Sequence, residues 1–202
     1  MKNDIYYKFI CVPIIAGVIV AVAHAAPGAG KVIQRTGTYQ NSRGGSGTFS
    51  STITKSNGVV TRQGTSTNQN GGVTTTQGQS TTSNGSTAYS GSSTGPTGKT
   101  TSWQGTSQTV APGDITSQGT ITKANGQVDT YTATDTKVAP GTWDKSEVIT
   151  TPSGKTIDKT VDTSVTNGQG TRTVTVTNPN GSVYTSNAQF TQTVTPLPGP
   201  TP

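Results

Sequence analysis

Along most of this chain apolar and polar residues alternate with a period of two. The cleanest run is Thr171-Arg172-Thr173-Val174-Thr175-Val176-Thr177. A period of two is the signature of a strand, and no helical period follows residue 25. Glycines punctuate the pattern. Gly58, Gly85, Gly113, Gly141 and Gly168 lie 27 or 28 residues apart, and Gly44, Gly71, Gly98, Gly126, Gly154 and Gly181 fall almost midway at the same interval. The repeating unit is thus a β-hairpin of 27–28 residues in six copies, beginning near Val32, Val59, Ser86, Asp114, Thr142 and Gln169. Repeats of such a period mark an array architecture.

The residues at the glycines are those that hairpin turns demand. Ser56-Asn57-Gly58, Ser83-Asn84-Gly85 and Ala124-Asn125-Gly126 end in Asn-Gly, while Pro96-Thr97-Gly98, Pro152-Ser153-Gly154 and Pro179-Asn180-Gly181 place Pro first. Both sets fit a three-residue loop, a type I turn followed by a left-handed residue. Pro112-Gly113 and Pro140-Gly141 read as type II turns.

One face of the strands is the candidate core. A column of small residues runs through the strand centres: Ser51, Gly64, Gly78, Gly91, Gly105, Gly119, Ala133 and Ala188. Aromatics lie two residues away on the same face: Phe49, Tyr89, Trp103, Tyr131 and Phe190. A ring lying over a neighbouring glycine compensates for the missing side chain. Ile53, Ile115, Ile121, Trp143, Ile149, Ile157, Val161, Val165, Val174, Val176 and Val194 share that face; the other is mostly Thr, Ser, Asn, Gln and Asp. The second repeat is the poorest, with Arg62, Gly64, Thr76 and Gly78 facing in.

These patterns predict an all-β antiparallel meander of about twelve strands over residues 32–196. Open sheets seldom exceed ~10 strands without curling or splitting. A sheet folded over its weakly apolar face is the first expectation, a closed barrel the second, and an extended single-layer sheet the third. A membrane-spanning barrel fits poorly, because the first three repeats lack an apolar band.

The ends are read differently. Lys2 and Lys8, an apolar run from Phe9 to Ala23 and Ala23-His24-Ala25 have the three-part plan of a secretory signal peptide, residues 1–25. Residues 26–31 form a flexible lead-in, and residues 197–202 a Pro-rich disordered tail. Cleavage after Ala25 removes Cys11, His24 and Met1, which excludes disulfides, Cys–His or Ser–His nucleophiles and common zinc sites. No catalytic, cofactor-binding or metal residue is assigned, and no small-molecule substrate is expected. Asp129 with Asp135, and Asp158 with Asp162, are the carboxylate pairs that could serve glycoside hydrolysis. Solvated strand positions balancing Lys137, Lys145, Lys155 and Lys159 explain them more simply. Asn84-Gly85-Ser86 and Asn180-Gly181-Ser182 match the glycosylation sequon, but turn chemistry accounts for both. The Thr-x-Thr runs offer a hydroxyl array, interrupted by Asp144, Asp158 and Asp162.

Charge is uneven. Lys31, Arg35, Arg43, Lys55, Arg62 and Lys99 face no acid between residues 26 and 113, whereas six bases and seven acids follow from Asp114 onward. In composition and period, residues 32–196 resemble curli-type fibre subunits and repetitive bacterial adhesins. The resemblance carries no residue roles, because Gln63, Gln77, Gln104 and Gln118 recur beside glycines without a matching Asn ladder. It implies a secreted, non-enzymatic structural or adhesive repeat protein of the bacterial cell envelope or extracellular matrix. The protein would be secreted or periplasmic, with the cell surface as the other destination. Self-association would follow from the early strands, which are poor in apolar side chains and have a weakly defended edge. The alternative is a binding module for anionic glycans or other polyanions, engaged through the basic first half.

Overall fold

The computed structural model describes residues 30–198; the expected signal peptide lies outside them. Twelve antiparallel strands follow one another: β1 (Lys31–Asn41), β2 (Ser46–Ser56), β3 (Val59–Asn68), β4 (Val73–Ser83), β5 (Ser86–Thr94) and β6 (Thr100–Ala111) in the first half. The second half holds β7 (Asp114–Thr122), β8 (Val128–Ala139), β9 (Thr142–Thr150), β10 (Thr156–Thr166), β11 (Gln169–Thr177) and β12 (Val183–Pro196). Each strand pairs with its neighbours in sequence, and β1 pairs with β12 from Lys31↔Pro196 to Asn41↔Ser186. The sheet is therefore a closed barrel. The expected meander is present, and its closure is the second of the three arrangements, not the folded-over sheet.

Closure rests on how the glycine column is offset. Within some hairpins the column residues meet directly, as in Ser51↔Gly64, Gly78↔Gly91 and Gly105↔Gly119. Across the next pairing the register slides by two: Gly91 faces Trp103 and Gly119 faces Tyr131. Such a stagger is the shear that tilts strands and lets a sheet close on itself. It also puts rings opposite glycines: Tyr39 on Gly47, Tyr89 on Gly105, Trp103 on Gly91, Tyr131 on Gly119 and Phe190 on Gly170. The glycines are required there. A Cβ on Gly105 would lie 2.7 Å from the Tyr89 hydroxyl and 2.9 Å from that of Tyr131. The two phenols cross over Gly105 and Gly119 and hydrogen-bond to each other.

The turns sort into two rims. At one rim the loops have three residues; for Pro152-Ser153-Gly154, Gly154 N donates to Thr151 O and Thr151 N to Lys155 O, both at 2.9 Å. At the other rim Asn57-Gly58, Asn84-Gly85 and Asn167-Gly168 are two-residue turns with both φ values positive, the Asn at 49–51°. Asn tolerates that region better than most residues. The Asn-Gly sequences thus divide: Asn125-Gly126 belongs to a three-residue loop, where Asn125 needs no positive φ. Pro112-Gly113 and Pro140-Gly141 close the short-turn rim too, and β1 starts there where β12 ends, with Leu197 N donating to Gly30 O at 2.7 Å.

Closure removes the premise of edge assembly. β3 and β4 have ladder partners on both sides. The low apolar content of repeats two and three is met inside the wall by small polar residues, such as buried Thr76 donating to Ser93 Oγ at 3.2 Å.

Gly105→Ala should cost about 3 kcal/mol, since an added Cβ collides with a carbonyl and two phenols in a closed wall. Gly126→Ala meets no atom within 4 Å and has only its φ of 81° to pay for, about 1 kcal/mol. Urea midpoints of the two variants measure the difference.

Candidate functional site: a cationic mouth

Strand parity decides what enters the lumen. Arg35 shares the face of Ile33, Lys55 that of Ile53, Arg172 that of Val174, and Lys145 that of Trp143. All of these bases point inward. The lumen is accordingly divided along its length. Toward the three-residue-turn rim it is packed with apolar side chains: Ile149, Ile157 and Val176 are buried, with Trp103, Ile121 and Tyr184 against them. Toward the short-turn rim its inward positions mix buried Ile33, Ile53 and Ile115 with bases. Arg35, Lys55, Arg62, Lys145 and Arg172 line this half, Lys31 and Lys137 stand at its edge, and Asp135 and Glu147 are the inward acids near it.

Arg35, Arg62 and Arg172 form the centre of this basic half. Arg172 is 6 % exposed and Lys55 8 %. Arg62 is half-buried, with its Nε out of solvent. Burial pushes the Arg62 guanidinium down to about 9, and repulsion from Arg172 and Arg35 adds to the shift. Burial brings Arg172 down to about 10, again with Arg35 contributing. Lys55 is lowered by burial and by the charges of Lys31 and Arg35. Arg35 itself is held by Gln192, to which its Nε donates at 2.8 Å, and stacks over the Phe190 ring at 5.2 Å. Mutually repelling buried cations are costly in the free protein, because each loses solvation and gains a like-charged neighbour. An anion at this point would relieve both costs. A cavity of about 180 Å³ opens beside them, lined by Arg35, Trp143, Lys145, Arg172, Gln192 and Asp135 among others.

The acids are already engaged or isolated. Glu147 accepts from Lys145 Nζ at 3.1 Å and from Lys159 Nζ at 3.2 Å. Burial raises its pKa, but the two lysines outweigh burial and hold the carboxyl at about 2. Asp129 pairs with Lys123 at 2.8 Å at the far rim. Burial pushes Asp135 up to about 6, against the pull of Lys145.

Neither of the two carboxylate pairs weighed against solvated strand positions forms. Asp129 and Asp135 both face inward and are buried, not solvated, yet six residues of strand set them ~20 Å apart. Asp158 and Asp162 stand exposed outside β10. The basic face expected of the first half is also relocated: Arg35, Lys55 and Arg62 are inside the barrel, while Arg43 sits in a turn, over the Tyr184 ring at 5.4 Å. Arg172, Lys145 and Trp143 were not singled out as a site. Their parity with apolar positions was the available signal, since a charge on the apolar face of a strand has to go into the lumen.

The outer wall is hydroxyl and amide. From β2 to β6 its strand positions are Thr, Ser and Gln with Val59, Val73, Ala88 and Val110, and Asp144, Asp158 and Asp162 appear only on β9 and β10. Side chains bridge strands across it, as between Ser50 and Thr65 at 3.0 Å and between Thr94 and Thr100 at 2.9 Å. There is no apolar band of the kind a lipid-facing barrel carries.

No protein-family model matches the chain, and no curated protein matches it. Among solved structures the barrel is similar to the KdgM porin. With that porin in complex with disordered oligogalacturonate, the TM-score is 0.56 at 10 % identity, over 80 % of this chain and 97 % of the porin. With the KdgM porin alone it is 0.54 at 9 % identity, over the same shares. At such identity the likeness is one of fold. Together with barrel closure, it overturns the expectation of a structural or adhesive repeat protein of the extracellular matrix, which required open strands or a fibre-type sheet.

Removing one of the three arginines should stabilise the unliganded protein. Arg62→Met removes a half-buried charge that Arg172 and Arg35 repel, so its melting temperature in chloride should rise. It should also lose much of the thermal stabilisation that sulfate confers on the native protein over chloride at matched ionic strength. Thermal denaturation in the two salts checks both.

Proposed function

We propose that the protein is a barrel of the cell envelope that binds acidic oligosaccharides at its short-turn mouth. The observation that supports it most is the cluster of buried Arg172 with half-buried Arg35 and Arg62, in which the charge of Arg35 lowers the pKa of the other two. Lys55 adds a further base, and the inward acids near it are Asp135 and Glu147, the latter already paired with Lys145 and Lys159. Arginine suits the task, because its planar fork meets a carboxylate or sulfate with two parallel hydrogen bonds. Trp143 lines the same cavity and offers a sugar an apolar face. A porin of similar fold has been solved with oligogalacturonate, a polyanionic glycan, which favours this class of ligand here. The same likeness favours the envelope, cell surface included, over release from the cell or a free periplasmic state.

Binding at a mouth fits this chain better than passage along an open channel. The lumen beyond the arginines is filled by the buried apolar cluster and by the Tyr89–Tyr131 pair. The reading is non-enzymatic.

Calorimetric titration of the full mature chain with oligogalacturonate, and with an uncharged oligosaccharide of equal length, tests the proposal. The acidic ligand should bind and the neutral one should not, and affinity should fall steeply with salt, though less than for a fully exposed patch. Arg35→Gln with Arg172→Gln should weaken binding at least ~30-fold, two charge-assisted hydrogen bonds being lost. Unchanged affinity in that variant would place any binding elsewhere.

A further inference from the structure

We propose that Lys145 and Asp135 condense to an amide that ties β8 to β9 inside the barrel. The register sets the two residues directly opposite each other. Both face the lumen and are buried, at 7 % and 5 % exposure. Directly opposed side chains on antiparallel strands have Cβ atoms ~5 Å apart, within the reach of one lysine side chain. On either side of the pair the cross-strand neighbours are apolar and buried: Ile115 faces Asp135 from β7, and Val161 faces Lys145 from β10.

Three features favour condensation over an ordinary ion pair. Asp135 Oδ2 is buried and makes no hydrogen bond among the described residues. A buried carboxylate oxygen in that state is costly, and an amide would remove the charge altogether. Glu147 lies two residues from Lys145 on the same face and accepts from its Nζ at 3.1 Å. The second oxygen of Glu147 is held by Lys159 at 3.2 Å, so the carboxylate is oriented beside the amine. Buried Ile115 and Val161 cover the pair from β7 and β10, so only its cavity side is open.

The step balances without a co-reactant. Glu147 takes a proton from the Lys145 ammonium, and the freed Nζ attacks Cγ of the protonated Asp135 carboxyl. The C–N bond forms and the C–OH bond breaks, one Nζ proton joins the departing hydroxyl so that it leaves as water, and Glu147 releases to solvent the proton it took from the ammonium. One ammonium and one protonated carboxyl become a neutral amide, one water and one proton, and nothing is oxidised or reduced. The arginine cluster keeps its charges, so this proposal stands or falls apart from that of ligand binding. Because the closed loop is short, the constraint on the unfolded chain is small, and mass is a better readout than melting.

Intact-mass spectrometry of the purified full-length mature chain under denaturing conditions tests it. The native protein should be lighter than its sequence by one water. A tryptic digest should join the peptide carrying Asp135 to that carrying an uncleaved Lys145. Asp135→Ala and Lys145→Met should each have the full sequence mass, and Glu147→Gln should retain most of the water. Should the variants fail to fold, the digest of the native protein decides alone. A full sequence mass in the folded native protein, or a water loss mapped by the digest to another site, would overturn the proposal.

Discussion

Everything in this barrel depends on steric exchange between rings and glycines across neighbouring strands. A sheet closes only if its strands are staggered, and here the stagger moves Tyr89, Trp103 and Tyr131 onto glycines of a neighbouring strand. The ring fills the volume that the glycine leaves empty, so the wall bends without opening a void. Tyr89 and Tyr131 do this from opposite sides and meet over Gly105 and Gly119. With few aliphatic residues to bury, the chain relies on these pairs and on complete backbone ladders. Every strand is paired on both sides, with register breaks only at Val110 and Val138 among the described residues, which matters most where repeats two and three contribute Gly, Ser and Thr.

Closure also sorts the charges. In an open sheet the bases on the apolar face would sit beside solvent. In a barrel they are confined with one another, and their repulsion becomes a property of the fold. The largest apolar cluster lies toward one rim, and the arginines lie toward the other among Ile33, Ile53 and Ile115. That arrangement resembles a binding site held ready at some cost to stability, a common compromise at functional positions.

The outer wall separates strand topology from surface chemistry. The similarity to a porin is one of fold, whereas the outer wall, which in a lipid-facing barrel carries an apolar band, is here mostly Thr, Ser and Gln. A functional reading by fold alone would miss that difference. The mouth carries the argument instead, since its residues are defined by charge and burial within this chain.

The hairpin repeat, the turn positions and the inward face were all legible in the sequence, because each is set by local rules. Asn-Gly and Pro-x-Gly prescribe turns, and a period of two separates the faces. Even the membership of Arg62 on the inward face could be read from parity. Barrel closure, the meeting of β1 with β12 and the stagger between hairpins were not legible, because they depend on pairings between residues as far apart as Lys31 and Pro196. The charge pattern misled for the same reason. Six bases without an acid suggested an outer basic face, but only closure decides that a strand's apolar side becomes a lumen. Arg172 joins Arg35 through that closure alone: they are remote in sequence and two strands apart across β12, and their repulsion exists only once the ring of strands is complete.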